Sequence, residues 1–138
     1  MSKKVYLTRR ETFAAAHRLF KPELSDKENY ELFGKCSNPN WHGHNYTLEV
    51  TVFGEVNPDT GFVLDIKKLK RIIHENVISK VDHKNLNIDT EFMNGIIPTS
   101  ENISIAIWKQ LEHKITDGKL YSVKLYETEN NYFEYKGE

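Results

Sequence analysis

Cys36-Ser37-Asn38-Pro39-Asn40-Trp41-His42-Gly43-His44-Asn45-Tyr46-Thr47-Leu48-Glu49-Val50-Thr51-Val52 is the stretch on which the reading of this chain turns. From His42 to residue 54 its character alternates. His42, His44, Tyr46, Leu48, Val50 and Val52 share one parity, and Asn45, Thr47, Glu49 and Thr51 take the other. A period of two with one apolar face is the pattern of a long, half-buried strand. Residues i and i+2 of a strand point the same way, so His42 and His44 stand side by side and can grip one divalent metal. Gly43 leaves the opposite face unobstructed. Cys36, the chain's single cysteine, lies across a Pro/Asn turn that can fold its thiol back toward that metal. Thiol, turn and paired imidazoles point to a metal site with a reactive group beside it.

Upstream, residues 4–17 read as a second strand. Val5, Leu7, Phe13 and Ala15 share a parity, and His17 falls on it. If this strand pairs antiparallel with residues 42–54, His17 approaches His42 and His44 from its neighbour. Three histidines with an open fourth position make a catalytic zinc set; Cys36 as a fourth ligand would instead close a structural site. Residues 18–41 carry few periodic apolar positions. A stretch of that length ending in the cysteine and histidines is expected to be functional.

Downstream, Asn57-Pro58-Asp59-Thr60-Gly61 is a turn. Asp65 caps a helix over about residues 66–80, with Ile66, Leu69, Ile72, Ile73 and Val77 as its apolar stripe. A polar loop from Val81 to Asn87 follows. Pro98-Thr99-Ser100 opens a second helix over about 100–115, where Ile103, Ile107, Leu111 and Ile115 recur every four residues. Asp117-Gly118 ends it. The last stretch reads as a hairpin, residues 119–127 and 132–136 around Asn130-Asn131. The order is ββααββ. An α+β fold follows, a four-stranded antiparallel sheet with two helices on one face.

Composition narrows the class. A chain of 138 residues is expected to be one domain spanning 1–138. Its net charge of −1 offers no basic field for nucleic acid or an anionic membrane. No apolar run approaches the ~20 residues of a membrane span. One cysteine excludes an intramolecular disulfide. With no signal-like start, the cytoplasm is the expected compartment. A zinc deaminase is excluded because its signature needs a Cys-x-x-Cys pair.

Three further features carry chemistry. Asp82-His83 pairs a carboxylate with an imidazole, which orients a base; it reads equally as a helix C-terminal cap. Glu127 continues the parity of Val123 and Leu125. A carboxylate on an apolar face needs a partner, and two oxygens can accept two parallel N–H bonds from a flat heterocycle; strand-end exposure is the plainer account. Thr99-Ser100-Glu101 is either a helix start or a place where hydroxyls and backbone N–H groups meet a ligand.

Phe13-x-Ala15-x-His17, Cys36-x5-His42-Gly43-His44-Asn45-Tyr46, Asp82-His83-Lys84-Asn85-Leu86-Asn87, Pro98-Thr99-Ser100-Glu101-Asn102 and Tyr126-Glu127-Thr128 occur in the order seen in the 6-pyruvoyl tetrahydropterin synthase family. The resemblance runs nearly end to end, through Tyr135-Lys136-Gly137-Glu138. It is similar to the animal type, with five residues between Cys and HGH; the related 6-carboxytetrahydropterin synthases of queuosine biosynthesis commonly have three. Trp41 departs from the pattern, which tends to carry Gly there.

The resemblance implies a T-fold that assembles into trimers closing a β-barrel, and two stacked trimers as a homohexamer. It implies Zn²⁺ on His17, His42 and His44, and a pterin triphosphate substrate, 7,8-dihydroneopterin triphosphate, accompanied by Mg²⁺. Cys36 resembles the general base, Asp82 and His83 its relay, and Glu127 the pterin anchor. Thr99, Ser100 and Glu101 fall in the substrate-binding region. The product would be 6-pyruvoyl tetrahydropterin. The alternatives are a 6-carboxytetrahydropterin synthase and a non-catalytic zinc-binding assembly module, against which the intact Cys36, Asp82, His83 and Glu127 argue.

Overall fold

The computed structural model describes residues 3–138. Strands β1 (Lys4–His17) and β2 (His42–Glu55) form one uninterrupted antiparallel ladder, from Lys4 opposite Glu55 to His17 opposite His42. That register puts Phe13 and Ala15 of β1 on the same face as Tyr46, Leu48, Val50 and Val52 of β2, all of them buried. Each strand alone has only one apolar face, so the register that merges the two faces is the one that buries both.

Between them, Asp26–Phe33 forms a helix, α1. The expectation for residues 18–41 held no helix. Its signal is a capping box: Ser25 accepts from the Glu28 N–H, and the Glu28 side chain accepts from the Ser25 N–H. The helix has no continuous apolar stripe and buries only Asn29, so periodicity passes over it. Asn29 ties the preceding loop down, accepting from the Lys21 N–H and donating to the Lys21 and Leu24 carbonyls.

After β2, Asp65 caps α2 (Ile66–Ile73) by accepting from the Lys67 N–H. The helix runs on through a π-helical turn (His74–Ile78) and a last α turn (Ser79–Val81), matching the expected span. Leu69, Ile72, Ile73 and Val77 are buried, but Ile66 is exposed and leaves the stripe. A two-residue strand, β3 (Lys84–Asn85), then pairs parallel with β1 at Ala15 and Ala16. It adds a fifth strand to the four expected; two residues are too few to carry a period. The second long helix, α3 (Ser100–Leu111), stops before Asp117-Gly118. Gly118, at φ +76°, makes the turn into the last hairpin, and a Cβ there would meet the Phe53 carbonyl oxygen at 2.8 Å. Strands β4 (Lys119–Tyr126) and β5 (Tyr132–Tyr135) complete a sheet of order β3-β1-β2-β4-β5. Ile103, Ile107 and Leu111 of α3 join Leu69, Ile73 and Val77 in one core with Val123 and Leu125 of β4. Among the described residues no helix is long and apolar enough to cross a membrane.

Candidate active site

The last rung of the β1–β2 ladder is His17 opposite His42, and His44 follows two residues along β2. The ring centroids lie 4.5 Å (His17–His42), 5.1 Å (His17–His44) and 5.0 Å (His42–His44) apart. One nitrogen from each ring lies within 4.8 Å of the others. His17 is buried, and its Nδ1 lies 2.8 Å from the Pro98 carbonyl oxygen. A carbonyl only accepts, so Nδ1 carries the proton and the lone pair is on Nε2, facing the cluster. Burial pushes the His17 imidazolium pKa down to about 4, outweighing the Pro98 bond that favours the charged form. Burial, then the neighbouring His44, lowers that of His42. His17 and His42 are therefore held in the neutral form that ligates metals.

Whether these residues fit a metal is answered by their unmet bonding. The His17 Nε2 and both His42 ring nitrogens are buried with no hydrogen-bond partner. Buried polar atoms are rarely left so, and a divalent cation shared by the three rings would take up the His17 Nε2 lone pair and one of the two His42 nitrogens.

Glu127 follows β4 directly and reaches the same place. Its Oε1 lies 3.1 Å from His44 Nε2, and its Oε2 accepts from the buried Ser100 hydroxyl at 2.6 Å. Its side chain keeps 24% of its exposure. Thr99 is the α3 cap, accepting from the Asn102 N–H. Glu101 is exposed.

Cys36 sits in a 3₁₀ turn (Gly34–Ser37) between α1 and β2 and is half-buried. Burial raises its thiol pKa, and the charge of Glu127 raises it further. The same two causes, with Cys36 itself, lift the Tyr46 phenol well above its usual range. Cys36 thus feels the charge of Glu127, the residue in contact with His44. Within a single chain the surroundings favour the thiol over the thiolate.

Asp82 and His83 stand elsewhere. Asp82 accepts from the Ala14 N–H at 3.0 Å, and this bond, with His83 adding to it, holds the carboxyl below its usual range. His83 donates its own N–H to the Ala14 carbonyl, and its Nδ1 lies 3.0 Å from Asp82 Oδ2. The ring is 84% exposed and lines an open groove of about 500 Å³ with Ala14, Ala15, Ala16, Gly43, His44 and Asn45. Cys36 does not line that groove, and the bonds of Asp82 and His83 go to Ala14 and to each other, not to Cys36. His83 also holds φ +60°, a conformation that residues other than glycine rarely adopt.

A sequence model described as 6-pyruvoyl tetrahydropterin synthase matches residues 6–138. The chain belongs to the 6-pyruvoyl tetrahydropterin synthase family. Among its relatives, the 6-pyruvoyl tetrahydrobiopterin synthase of Dictyostelium discoideum is 50% identical over the full length of both chains. The human 6-pyruvoyl tetrahydrobiopterin synthase is 48% identical over 96% of this chain and 91% of its own. The solved structure of the Caenorhabditis elegans 6-pyruvoyl tetrahydropterin synthase superposes with a TM-score of 0.92 at 44% identity, covering 99% of this chain and 98% of its own.

Trp41 gains a physical account within the family. It precedes the first histidine of β2 at φ +68°, where glycine is the residue without steric cost. Its ring meets that of Phe20 at 6.4 Å, edge to face. Two truncations separate backbone from ring. Trp41→Gly and Trp41→Ala both lose the indole, but only glycine relieves the backbone. Chemical denaturation is expected to find Trp41→Gly more stable than Trp41→Ala by about 1–2 kcal/mol. Equal stabilities would mean that Trp41 carries no strain. The sequence reading missed two contributors outright. The Pro98 carbonyl is a backbone group, silent in any pattern. Arg18, next to His17, is the other.

Proposed function

We propose that this chain is a zinc-dependent 6-pyruvoyl tetrahydropterin synthase. On this reading it eliminates triphosphate from 7,8-dihydroneopterin triphosphate, with Mg²⁺ on the phosphates, to give 6-pyruvoyl tetrahydropterin. The observation that carries the reading is the set of buried, unsatisfied histidine nitrogens beside Cys36 and Glu127 in a chain of this family.

His17, His42 and His44 would hold the zinc, and a bound zinc supplies Lewis-acid polarisation of a side-chain oxygen, which acidifies the adjacent C–H. Cys36 would take that proton as general base. The electron pair left on carbon expels the triphosphate, and enol–keto shifts carry the oxidation level along the side chain without an external redox cofactor. Glu127, kept in place by Ser100, would accept two N–H bonds from the pterin and hold its side chain against the cluster. Thr99, Ser100 and Glu101 would border the pterin. Incubation with 7,8-dihydroneopterin triphosphate and Mg²⁺, followed by mass spectrometry and an acetaldehyde assay, tests the reading. A 6-pyruvoyl product without acetaldehyde is expected. Stoichiometric acetaldehyde with a 6-carboxy product would make it the sister enzyme, and no turnover would leave a zinc-binding assembly module.

Glu127→Gln replaces one acceptor oxygen by a donor. It is expected to weaken pterin binding at least tenfold, the size of one lost charge-assisted bond, while the metal content stays unchanged. Equal affinity by titration calorimetry would remove Glu127 from the pterin.

Assembly would complete the site. His83 is exposed in a groove that Cys36 does not line, so the relay would come from a neighbouring subunit of a barrel-forming trimer, two trimers making the hexamer. Sheet edges at β3 and β5 need covering, and pairing between subunits covers them. Sedimentation is expected to give a hexamer, or a trimer on dilution. Mixing inactive Cys36→Ala and His83→Ala chains during refolding is expected to restore turnover, because sites between unlike chains regain both groups. Mixtures as inactive as their parents would place the relay within one chain or nowhere.

A further inference from the structure

Arg18 follows His17 in β1's extension and is largely buried, its side chain 12% exposed. Asn87 grips its backbone from both sides, accepting from the Arg18 N–H at 2.9 Å and donating to the Arg18 carbonyl at 2.9 Å. The guanidinium carbon lies 4.0 Å from the centroid of the Phe20 ring. Its Nε donates to the Ser37 carbonyl at 2.8 Å. The next residue, Leu19, donates its N–H to the Cys36 carbonyl at 2.9 Å. Two consecutive carbonyls, those of Cys36 and Ser37, are thus held by two consecutive residues that themselves follow a candidate metal ligand. The remaining contact of Arg18 is an ion pair with Asp26 at 3.3 Å. Asp26 is 82% exposed, and a pair so solvated holds little. The buried commitments of the guanidinium are the Ser37 carbonyl and the Phe20 face, and both fix where the 3₁₀ turn carrying Cys36 lies.

We infer that Arg18 is a positioning residue for the lyase reaction, setting the place of the Cys36 thiol relative to the histidine cluster. The inference rests on the proposed role of Cys36 as base. Displacing a reacting group by about 1 Å costs on the order of 10² in rate, and the turn has few other ties to β1. Lysine does not replace arginine here. An ammonium keeps the charge but has neither the fork that reaches the Ser37 carbonyl nor a flat face to lie on Phe20.

Arg18→Lys and Arg18→Ala, prepared as full-length, metal-loaded protein, test it. Cys36 is the only cysteine, so alkylation by iodoacetamide reads its thiol alone, with or without turnover. In both variants kcat is expected to fall tenfold or more, with KM and metal content unchanged. Alkylation is expected to become several-fold faster as the turn loosens. Methylguanidinium added to Arg18→Ala is expected to restore part of kcat and slow the alkylation. Wild-type turnover and alkylation in Arg18→Lys would overturn the inference. So would a loss of metal or of the folded state that accounts for the whole fall in kcat. If the wild-type chain does not turn over the pterin triphosphate, the alkylation arm still decides the placement of the thiol, and the proposed function alone falls.

Discussion

A Cys36→Ala variant is expected to keep its metal and its fold and to lose turnover by about 10²-fold or more. The thiol touches no histidine in a hydrogen bond, and the three imidazoles alone can supply a complete donor set with an open fourth position. Removing the sulfur therefore takes away proton transfer and leaves the metal in place. The raised pKa of Cys36 in the single chain sharpens the expectation. A neutral thiol is a poor base, so on the proposed mechanism its activation would come from a bound cation and from the imidazole proposed to reach it from a neighbouring subunit. Metal analysis beside single-turnover kinetics checks this. Joint loss of metal and activity would make Cys36 a ligand and the site structural.

His42→Ala is expected to have the second large effect, release of the metal with turnover falling to background. His42 is one corner of a near-equilateral triangle of rings. Its ring lies 4.5 Å from that of His17 and 5.0 Å from that of His44, and both of its nitrogens are buried without partners. Two imidazoles remain after the change, which is one fewer than a catalytic zinc site ordinarily uses. The metal-free wild type is expected to be inactive too and to recover on addition of Zn²⁺, whereas His42→Ala is not. Full metal occupancy in the variant would refute the three-histidine centre.

Most of this architecture was legible because its signals are local and periodic. The alternation from His42 to Val52 and the shared parity of Phe13, Ala15 and His17 already contain the ladder, and one assumption, antiparallel pairing, brings the three histidines together. What escaped has a physical reason in each case. The helix at Asp26–Phe33 is held by a capping box and a buried Asn29, not by an apolar stripe. Strand β3 is too short to alternate. The hydrogen bond that fixes the His17 tautomer ends on a backbone carbonyl far along the chain, at Pro98. The left-handed conformations of Trp41 and His83 are adopted by residues that do not advertise them. Whether the Asp82–His83 pair meets Cys36 is open in the sequence, because a linear reading does not carry the tertiary placement by which His83 lines a groove without Cys36.

The pairing of His17 with His42 as the final rung has one more consequence. Ladder ends are where strands open first, and everything between these two residues, including α1 and the thiol, hangs from that end as a single closed excursion. A cation held by both side chains works there as a reversible cross-link. A covalent bridge across a loop of this size contributes roughly 3 kcal/mol by restricting the open chain, and a coordinate bond between the same two strands acts in the same sense. Loading the site would then reinforce the ties that Arg18 and Leu19 already make to the segment carrying Cys36. Chelation would do more than empty the centre: it would loosen the loop that holds the thiol.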